Sequence, residues 1–305
     1  MLLCRTPALA SLAMTWRASS DIVDFPPFES VKSVECYYPP ADELEPLLKL
    51  FPSLAQLHLR VVRQRNVPKP IVFTHLKALT ITDEYGMPDI DVFIKSFTLT
   101  SLTDFTLITP GSRVRDHHIG GSLVDCLKRS GCSGLRTLCV SSRYTPLRSN
   151  SEWISDLIDL SPELRAINLE FRTLENRDAV AGASAMTNTV VYRLCTLLSD
   201  SLPSTLPSLS TLTVHIRRFP TDKSWNSVAR DMAARFLRMV ESRAENSSLL
   251  RHVELLITSD LLSEDDSPDE SGDSDSELEA FYVDVARRCK SLLVNSGVTF
   301  ILNMP

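Results

Sequence analysis

The sequence predicts an α/β chain built as a right-handed solenoid, with parallel strands lining a concave side and helices covering a convex side. Three observations lead there. One short apolar pattern recurs nine times along the 305 residues. The segments between copies space their apolar residues at helical intervals. Glycine is scarce, at 9, and proline plentiful, at 18, which points to many marked element boundaries and away from glycine-rich phosphate loops.

The pattern is an apolar residue, two variable ones, an apolar residue, one variable, and an apolar residue. It reads Leu9-x-x-Leu12-x-Met14, Val31-x-x-Val34-x-Cys36, Leu54-x-x-Leu57-x-Leu59 and Leu76-x-x-Leu79-x-Ile81. It continues as Leu102-x-x-Phe105-x-Leu107, Leu135-x-x-Leu138-x-Val140 and Leu164-x-x-Ile167-x-Leu169, then Leu209-x-x-Leu212-x-Val214 and Leu250-x-x-Val253-x-Leu255. Successive copies start 22, 23, 22, 26, 33, 29, 45 and 41 residues apart. The first four intervals fall within the roughly 20–29 residues of a leucine-rich repeat. Each copy makes a short strand with one buried edge. No copy can bury that edge alone, so copies stack and share a core.

Between the copies lie helix candidates. Ala41–Leu50 opens on acidic residues, which suits a helix N-terminus. Asp89–Phe97 sets Ile90, Phe93, Ile94 and Phe97 on one face. Gly121–Arg129, Ser151–Leu160, Thr187–Leu202 and Glu277–Asn295 read likewise. Ser224–Glu245 is the longest, with Val228, Met232, Phe236, Met239 and Val240 as its apolar stripe. Strand and helix in alternation, with parallel strands, give a right-handed crossover and helices on one side of the sheet. The chain divides into a repeat body (1–262), an acidic loop (263–279) and a closing helix and strand (280–305).

The wording of these repeats, as in TPALASLAM, FPSLAQLHL and LPSLSTLTV, resembles the irregular leucine-rich repeats of fungal F-box proteins from Met1 to about Ile257. In that family an N-terminal F-box docks on the adaptor of a cullin-type ubiquitin ligase, and the repeats capture the protein to be ubiquitylated. The resemblance implies a non-enzymatic substrate-receptor module with a protein partner. The chain departs from the family in showing no Leu-Pro-x-Glu opening of an F-box. Nor does an asparagine or cysteine ladder follow the strands, judged at Val62 and its neighbours. The alternative is a freestanding leucine-rich structural or regulatory scaffold with no ubiquitin connection. A repeat that begins at Leu9, with Leu12 and Met14 uncapped, is expected to need a preceding domain or a partner over that edge.

Strand side chains alternate, so residues between the apolar ones form the concave surface. One column reads Glu35, His58, Thr80, Thr106, Cys139, Asn168, Thr213 and Glu254; its neighbour reads Tyr37, Arg60, Thr82, Ile108, Ser141, Glu170, His215 and Leu256. Tyr37, His58, Arg60, Thr80, Thr82, Thr106, Asn168, Glu170, Thr213 and His215 are the candidate partner-binding residues. Threonine is also simply a good residue for an exposed strand.

Other chemistry is not expected. Cys4, Cys36, Cys126, Cys132, Cys139, Cys195 and Cys289 lack paired or zinc-site spacing, so they read as reduced thiols in small core sites of a cytoplasmic or nuclear protein. Asp116-His117-His118 is similar to a motif of metal-dependent phosphoesterases, but the further carboxylates and histidines that two metals require are not nearby. No metal site, cofactor, nucleic acid or membrane partner is expected. No apolar run approaches the roughly 20 residues of a membrane span. The first 16 residues have some look of a targeting peptide, but Arg5 interrupts them and they fit the repeat.

Net charge is −6, yet Ser263–Glu279 alone carries nine acidic residues and no basic one, and without it the chain is +3. That segment has too little apolar surface to offset its ordering entropy and reads as a disordered loop. Ser263, Ser267, Ser274 and Ser276 each stand three residues before an acidic one, the spacing acidophilic kinases favour. The same composition equally suits a solvating spacer.

Overall fold

A computed structural model describes residues 9–15, 26–37, 44–61, 70–83, 90–109, 119–142, 152–173, 190–199, 206–218, 225–245, 249–259, 280, 283–285, 287–288 and 299–303. Asp116-His117-His118, Cys4, Val62, Cys289 and the acidic segment Ser263–Glu279, with its four candidate serines, lie outside the described residues. The chain forms two compact units, Met1–Ser142 and Arg143–Pro305.

The first unit runs β1 (Ser11–Thr15), β2 (Ser33–Tyr37), α1 (Leu44–Leu50), β3 (Gln56–Val61), β4 (Ile71–Phe73), β5 (Ala78–Asp83), α2 (Ile90–Lys95), β6 (Phe97–Leu99), β7 (Asp104–Thr109), α3 (Ile119–Ser130) and β8 (Thr137–Ser142). Its main sheet is parallel throughout, in the order β1-β2-β3-β5-β7-β8, and β4 pairs with β6 in a separate parallel ribbon. The second unit runs α4 (Glu152–Leu160), β9 (Ala166–Thr173), α5 (190–199), β10 (Thr211–Arg218), α6 (Trp225–Glu245), β11 (His252–Ser259) and β12 (Thr299–Asn303), with helical residues at 280, 283–285 and 287–288. Its strands are parallel, in the order β9-β10-β11-β12. Each unit is thus a mixed α/β body on a parallel sheet.

Every copy of the apolar pattern becomes a strand, and a backbone device repeats with it. The first apolar residue of several copies closes a tight turn. Leu54 N donates to Phe51 O, Leu164 N to Ser161 O and Leu209 N to Leu206 O, each over 3.1 Å. The turns are Phe51-Pro52-Ser53-Leu54, Ser161-Pro162-Glu163-Leu164 and Leu206-Pro207-Ser208-Leu209. Proline stands second, where its fixed φ suits a turn. The carbonyl of the next residue then accepts two N–H groups from the following strand. Ala10 O takes Lys32 and Ser33, Lys32 O takes Ala55 and Gln56, Ala55 O takes Lys77 and Ala78, and Lys77 O takes Thr103 and Asp104. Thr103 O takes Arg136 and Thr137, and in the second unit Arg165 O and Ser210 O repeat the step. Stacked copies are therefore locked in one register at the strand entrance.

Inward residues of the pattern are the core. Leu57, Leu59, Leu79, Ile81, Phe105, Leu107 and Leu138 are each at most 2% exposed, as are Ile167, Leu169, Leu212, Val214, Val253 and Leu255 in the second unit. Burying each side chain stabilises the fold by about 1.5–3 kcal/mol. Leu12 and Met14 of β1, in the same register columns, are only half-buried.

One helix boundary differs from the sequence reading. Phe97 belongs to β6, not to the helix face of Asp89–Phe97. The Ser96 hydroxyl donates to Phe93 O over 2.7 Å and ends α2, while Ile71 N reaches Ser96 O and draws the chain into the ribbon. Phe97 then packs edge-on to Phe93 and Phe73, at ring-centroid distances of 5.0 and 5.7 Å. A polar ladder also exists, one residue earlier than the asparagine position. Asp83, Thr109 and Ser142 end their strands facing inward at 0%, 1% and 3% exposure, and Thr109 Oγ1 donates to Ser142 Oγ over 3.0 Å.

Cys36, Cys126, Cys132 and Cys195 are buried, as expected. Burial pushes the Cys36 and Cys195 thiols up to about 12 and Cys126 to about 11, so they stay protonated. Cys139 departs from the core-thiol expectation by standing half-buried on the outer face of β8.

The helices of the second unit are tied by polar bonds. Arg243, 5% exposed, donates from Nε to Leu198 O over 2.8 Å, placing a cation at the end of α5, where the last carbonyls lack helical partners. The Tyr192 hydroxyl donates to Asp231, and the Arg235 guanidinium lies 4.2 Å from the Tyr192 ring centroid.

Candidate functional site

Alternation leaves one face of each sheet to the residues between the apolar ones. In the first unit the register places Glu35, His58, Thr80, Thr106 and Cys139 in one continuous row. Tyr37, Arg60, Thr82, Ile108 and Ser141 form the next row. In the second unit Asn168, Thr213 and Glu254 share one row, and Glu170, His215 and Leu256 the other. The candidate residues therefore come together as two faces, one per unit, with the column neighbours read from the sequence.

At one end of the first face the side chains interlock. Arg60 Nε donates to Glu35 Oε1 over 3.1 Å, and His58 Nδ1 lies 3.2 Å from the same oxygen. The far nitrogen of the imidazole, Nε2, lies 3.0 Å from Thr82 Oγ1. Arg60 also sits over the Tyr37 ring at 4.8 Å. Burial acts to raise the Glu35 carboxyl. Hydrogen bonds from Tyr37 and Arg60 and the charges of His58 and Arg60 outweigh it, holding the group below its ordinary value. Glu35 is therefore ionised at neutral pH. An ionised Glu35 favours the proton of His58 on Nδ1, which leaves Nε2 to accept from the Thr82 hydroxyl.

Beyond this ridge the first face is low and uncharged at Thr80, Thr106, Cys139 and Ser141, all half-buried. Thr82 is 8% exposed, because Arg60 flanks it in register and His58 bonds its hydroxyl. Thr213 is also 8% exposed, so neither threonine offers the open surface the alternation suggested. Asn168 is exposed, and Glu170 and His215 are half-buried.

The second face has its own cluster. His215 Nε2 lies 3.1 Å from Glu254 Oε1, and His252 Nε2 lies 3.7 Å from Glu254 Oε2. His215 Nε2 is closed to solvent and lacks the alignment of a hydrogen bond despite that distance. Among the described residues, no three histidine, cysteine, aspartate or glutamate side chains are grouped as a metal ion would need.

Glu35 and Glu254, at the ends of their column and outside the candidate set, turn out to organise both clusters. His252 was missed because it occupies the first outward position of its strand, a column the sequence reading did not follow. The His252-x-Glu254 spacing, which puts both residues on one side of a strand, was the available signal.

Glu241 of α6 and Asp284 pair with basic residues near the C-terminus. Arg288 Nη2 donates to Glu241 Oε1 over 2.8 Å, and Arg287 pairs with Asp284. No described helix is long and apolar enough to cross a membrane. Comparison with protein-family models and with curated proteins finds no match to this chain.

Proposed function

We propose that this chain is a leucine-rich-repeat-like recognition module, a right-handed solenoid whose sheet forms the concave side and holds a protein partner. The observation that carries the reading is the rigid ridge of Tyr37, Glu35, His58 and Arg60 beside a low row of threonines on one sheet face. Arginine and tyrosine are the residue types enriched at interface hot spots, and Arg60 is held in place before any partner arrives. These contacts restrain the Arg60 side chain, which reduces the entropy it would lose on binding.

The repeating turn and the bifurcated backbone step support the repeat reading, since both recur at the same place in each copy. Within this reading the chain acts like the substrate-receptor repeats of an F-box ubiquitin-ligase subunit, and its partner is a protein destined for ubiquitylation. The test is affinity purification of the full chain from its native cells. A captured substrate is expected to co-purify with wild type and, on the ubiquitin-ligase reading, cullin and adaptor subunits with it. They are expected to remain when Tyr37 and Arg60 are both changed to Ala, while the captured substrate is lost. Absence of cullin and adaptor with substrate retained would favour a freestanding scaffold. Retention of the substrate by the double variant would reject this face as the recognition site.

A further inference from the structure

We infer that β1 is a dimerisation strand: two copies of the chain pair antiparallel through Ser11–Thr15, about a two-fold axis at Ala13.

β1 ends the order of its sheet, so one of its edges meets no described strand. The strand entrance tells which backbone groups line that edge. Ala10 O accepts the Ser33 N–H from β2. In a parallel pair alternate residues turn both backbone groups to the same neighbour, so Leu12 and Met14 also bond toward β2. Ser11, Ala13 and Thr15 therefore turn their N–H and C=O groups to the open edge, and all three are exposed.

The strand lacks the usual protection of such an edge. Charged residues and proline keep edge strands from pairing with other chains. The sequence SLAMT contains neither. Leu12 and Met14 lie in core columns yet stay half-buried, whereas Val34 and Cys36 beside them in register are 1% and 0% exposed. The core at this end is unfinished.

β1 is its own complement. In an antiparallel pair, every second residue exchanges both of its backbone bonds with the residue opposite. With the axis at Ala13, Ala13 meets the second copy's Ala13, and Ser11 meets the second copy's Thr15. The residues with outward backbone groups are thus the ones that gain partners. On the inward side Leu12 meets the second copy's Met14, apolar against apolar, and no like charges face each other. An uncharged edge gives a foreign strand little to be recognised by, whereas β1 matches itself at every position. A two-fold contact of this kind closes at two copies. The seam is short, so the dimer is weak and reversible.

Pairing joins the two outward sheet faces. Ala13 shares a row with Glu35. Three strand spacings, about 14 Å, then separate β2 of one copy from β2 of the other. Two ridges of Tyr37, Glu35, His58 and Arg60 flank one seam floored by Ser11, Ala13 and Thr15.

Oxidative cross-linking of the full chain reads the register, in a Cys4→Ala chain that sets the background. Ala13→Cys is expected to give a covalent dimer, since directly paired residues lie within disulfide reach. Ser11→Cys alone and Thr15→Cys alone are expected to give none, because each sits four residues, about 13 Å, from its own copy across the axis. A mixture of the two is expected to cross-link. Ala13→Pro removes a seam donor that faces away from β2, a place where an edge strand accepts proline. Sedimentation equilibrium is expected to show a wild-type monomer–dimer equilibrium and at least tenfold weaker association in Ala13→Pro, with similar melting. Should Ala13→Pro fail to fold, the cross-linking decides alone. No covalent dimer from Ala13→Cys overturns the inference, as does equal cross-linking of Ser11→Cys by itself or wild-type species larger than a dimer. The pairing does not rest on the recognition reading, so its failure leaves that reading to its own test.

Discussion

The Arg60 guanidinium donates to the Glu35 carboxylate over 3.1 Å, joining adjacent strands through residues 25 apart in sequence. The bond makes a local charge pair into a clamp between two repeats. Its pH dependence has a definite sign. Glu35 titrates below its ordinary value when folded, so its contribution to stability is complete above the unfolded value, near 4.5, and is lost as pH falls through the lower folded value. Glu35→Gln is expected to cost about 1 kcal/mol or less at pH 7, since such half-exposed pairs contribute modestly. The difference from wild type should shrink toward pH 3. Urea melts at pH 7 and pH 3 check this, and a gap that widens in acid would contradict it.

Tyr192 and Asp231 make the corresponding test for the second unit. Burial, with the hydrogen bond to Asp231, pushes the Tyr192 phenol up to about 12. Its contribution is present below the ordinary tyrosine value and is lost as pH rises through about 12. Ultraviolet titration should show one tyrosine ionising late, and Tyr192→Phe should remove that late phase. The same variant is expected to lose about 1 kcal/mol at pH 7, the usual net worth of one hydrogen bond. A titration curve unchanged by the substitution would contradict the assignment.

Much of this was legible because the apolar pattern states both strand position and facing. Leu57-x-Leu59 and Leu79-x-Ile81 fix which residues point inward, and His58 and Thr80 follow as row neighbours. What could not be read was contact chemistry across strands. Nothing local to Glu35 announces that Arg60 and His58 converge on it, because that depends on side-chain reach between residues over 20 positions apart. Phe97 was misread for a related reason. Its helical spacing from Phe93 was real, but the Ser96 side chain and the bond to Ile71 offered the backbone a better alternative. The inward Asp83, Thr109 and Ser142 escaped notice because polar residues at strand ends look like the start of a loop.

The edge strand gives a solution property. Leu12 and Met14 are half-buried where their column partners Val34 and Cys36 are 1% and 0% exposed. An apolar edge strand invites pairing with another chain. Light scattering at tens of micromolar is expected to show self-association that Leu12→Lys reduces. A monodisperse monomer of wild type would contradict this.

Deleting residues 263–279 removes nine negative charges. Cooperative melting is expected to persist within about 0.5 kcal/mol, as for substitutions that touch no core. Heparin retention at low salt should rise, although only modestly through Arg288, which already pairs with Glu241. Loss of cooperative melting would show that the segment is structural.

The central claim is that the sheet face, and not the helical side, holds the partner. Its most direct measurement is the affinity of an identified partner for Tyr37→Ala, Arg60→Ala and Arg238→Ala, the last lying exposed on α6. Either sheet-face change is expected to weaken binding by about 2 kcal/mol or more, roughly thirtyfold, while costing only about 1 kcal/mol or less of stability. Arg238→Ala is expected to bind like wild type. Loss of binding in Arg238→Ala, with Tyr37→Ala and Arg60→Ala unaffected, would contradict the account.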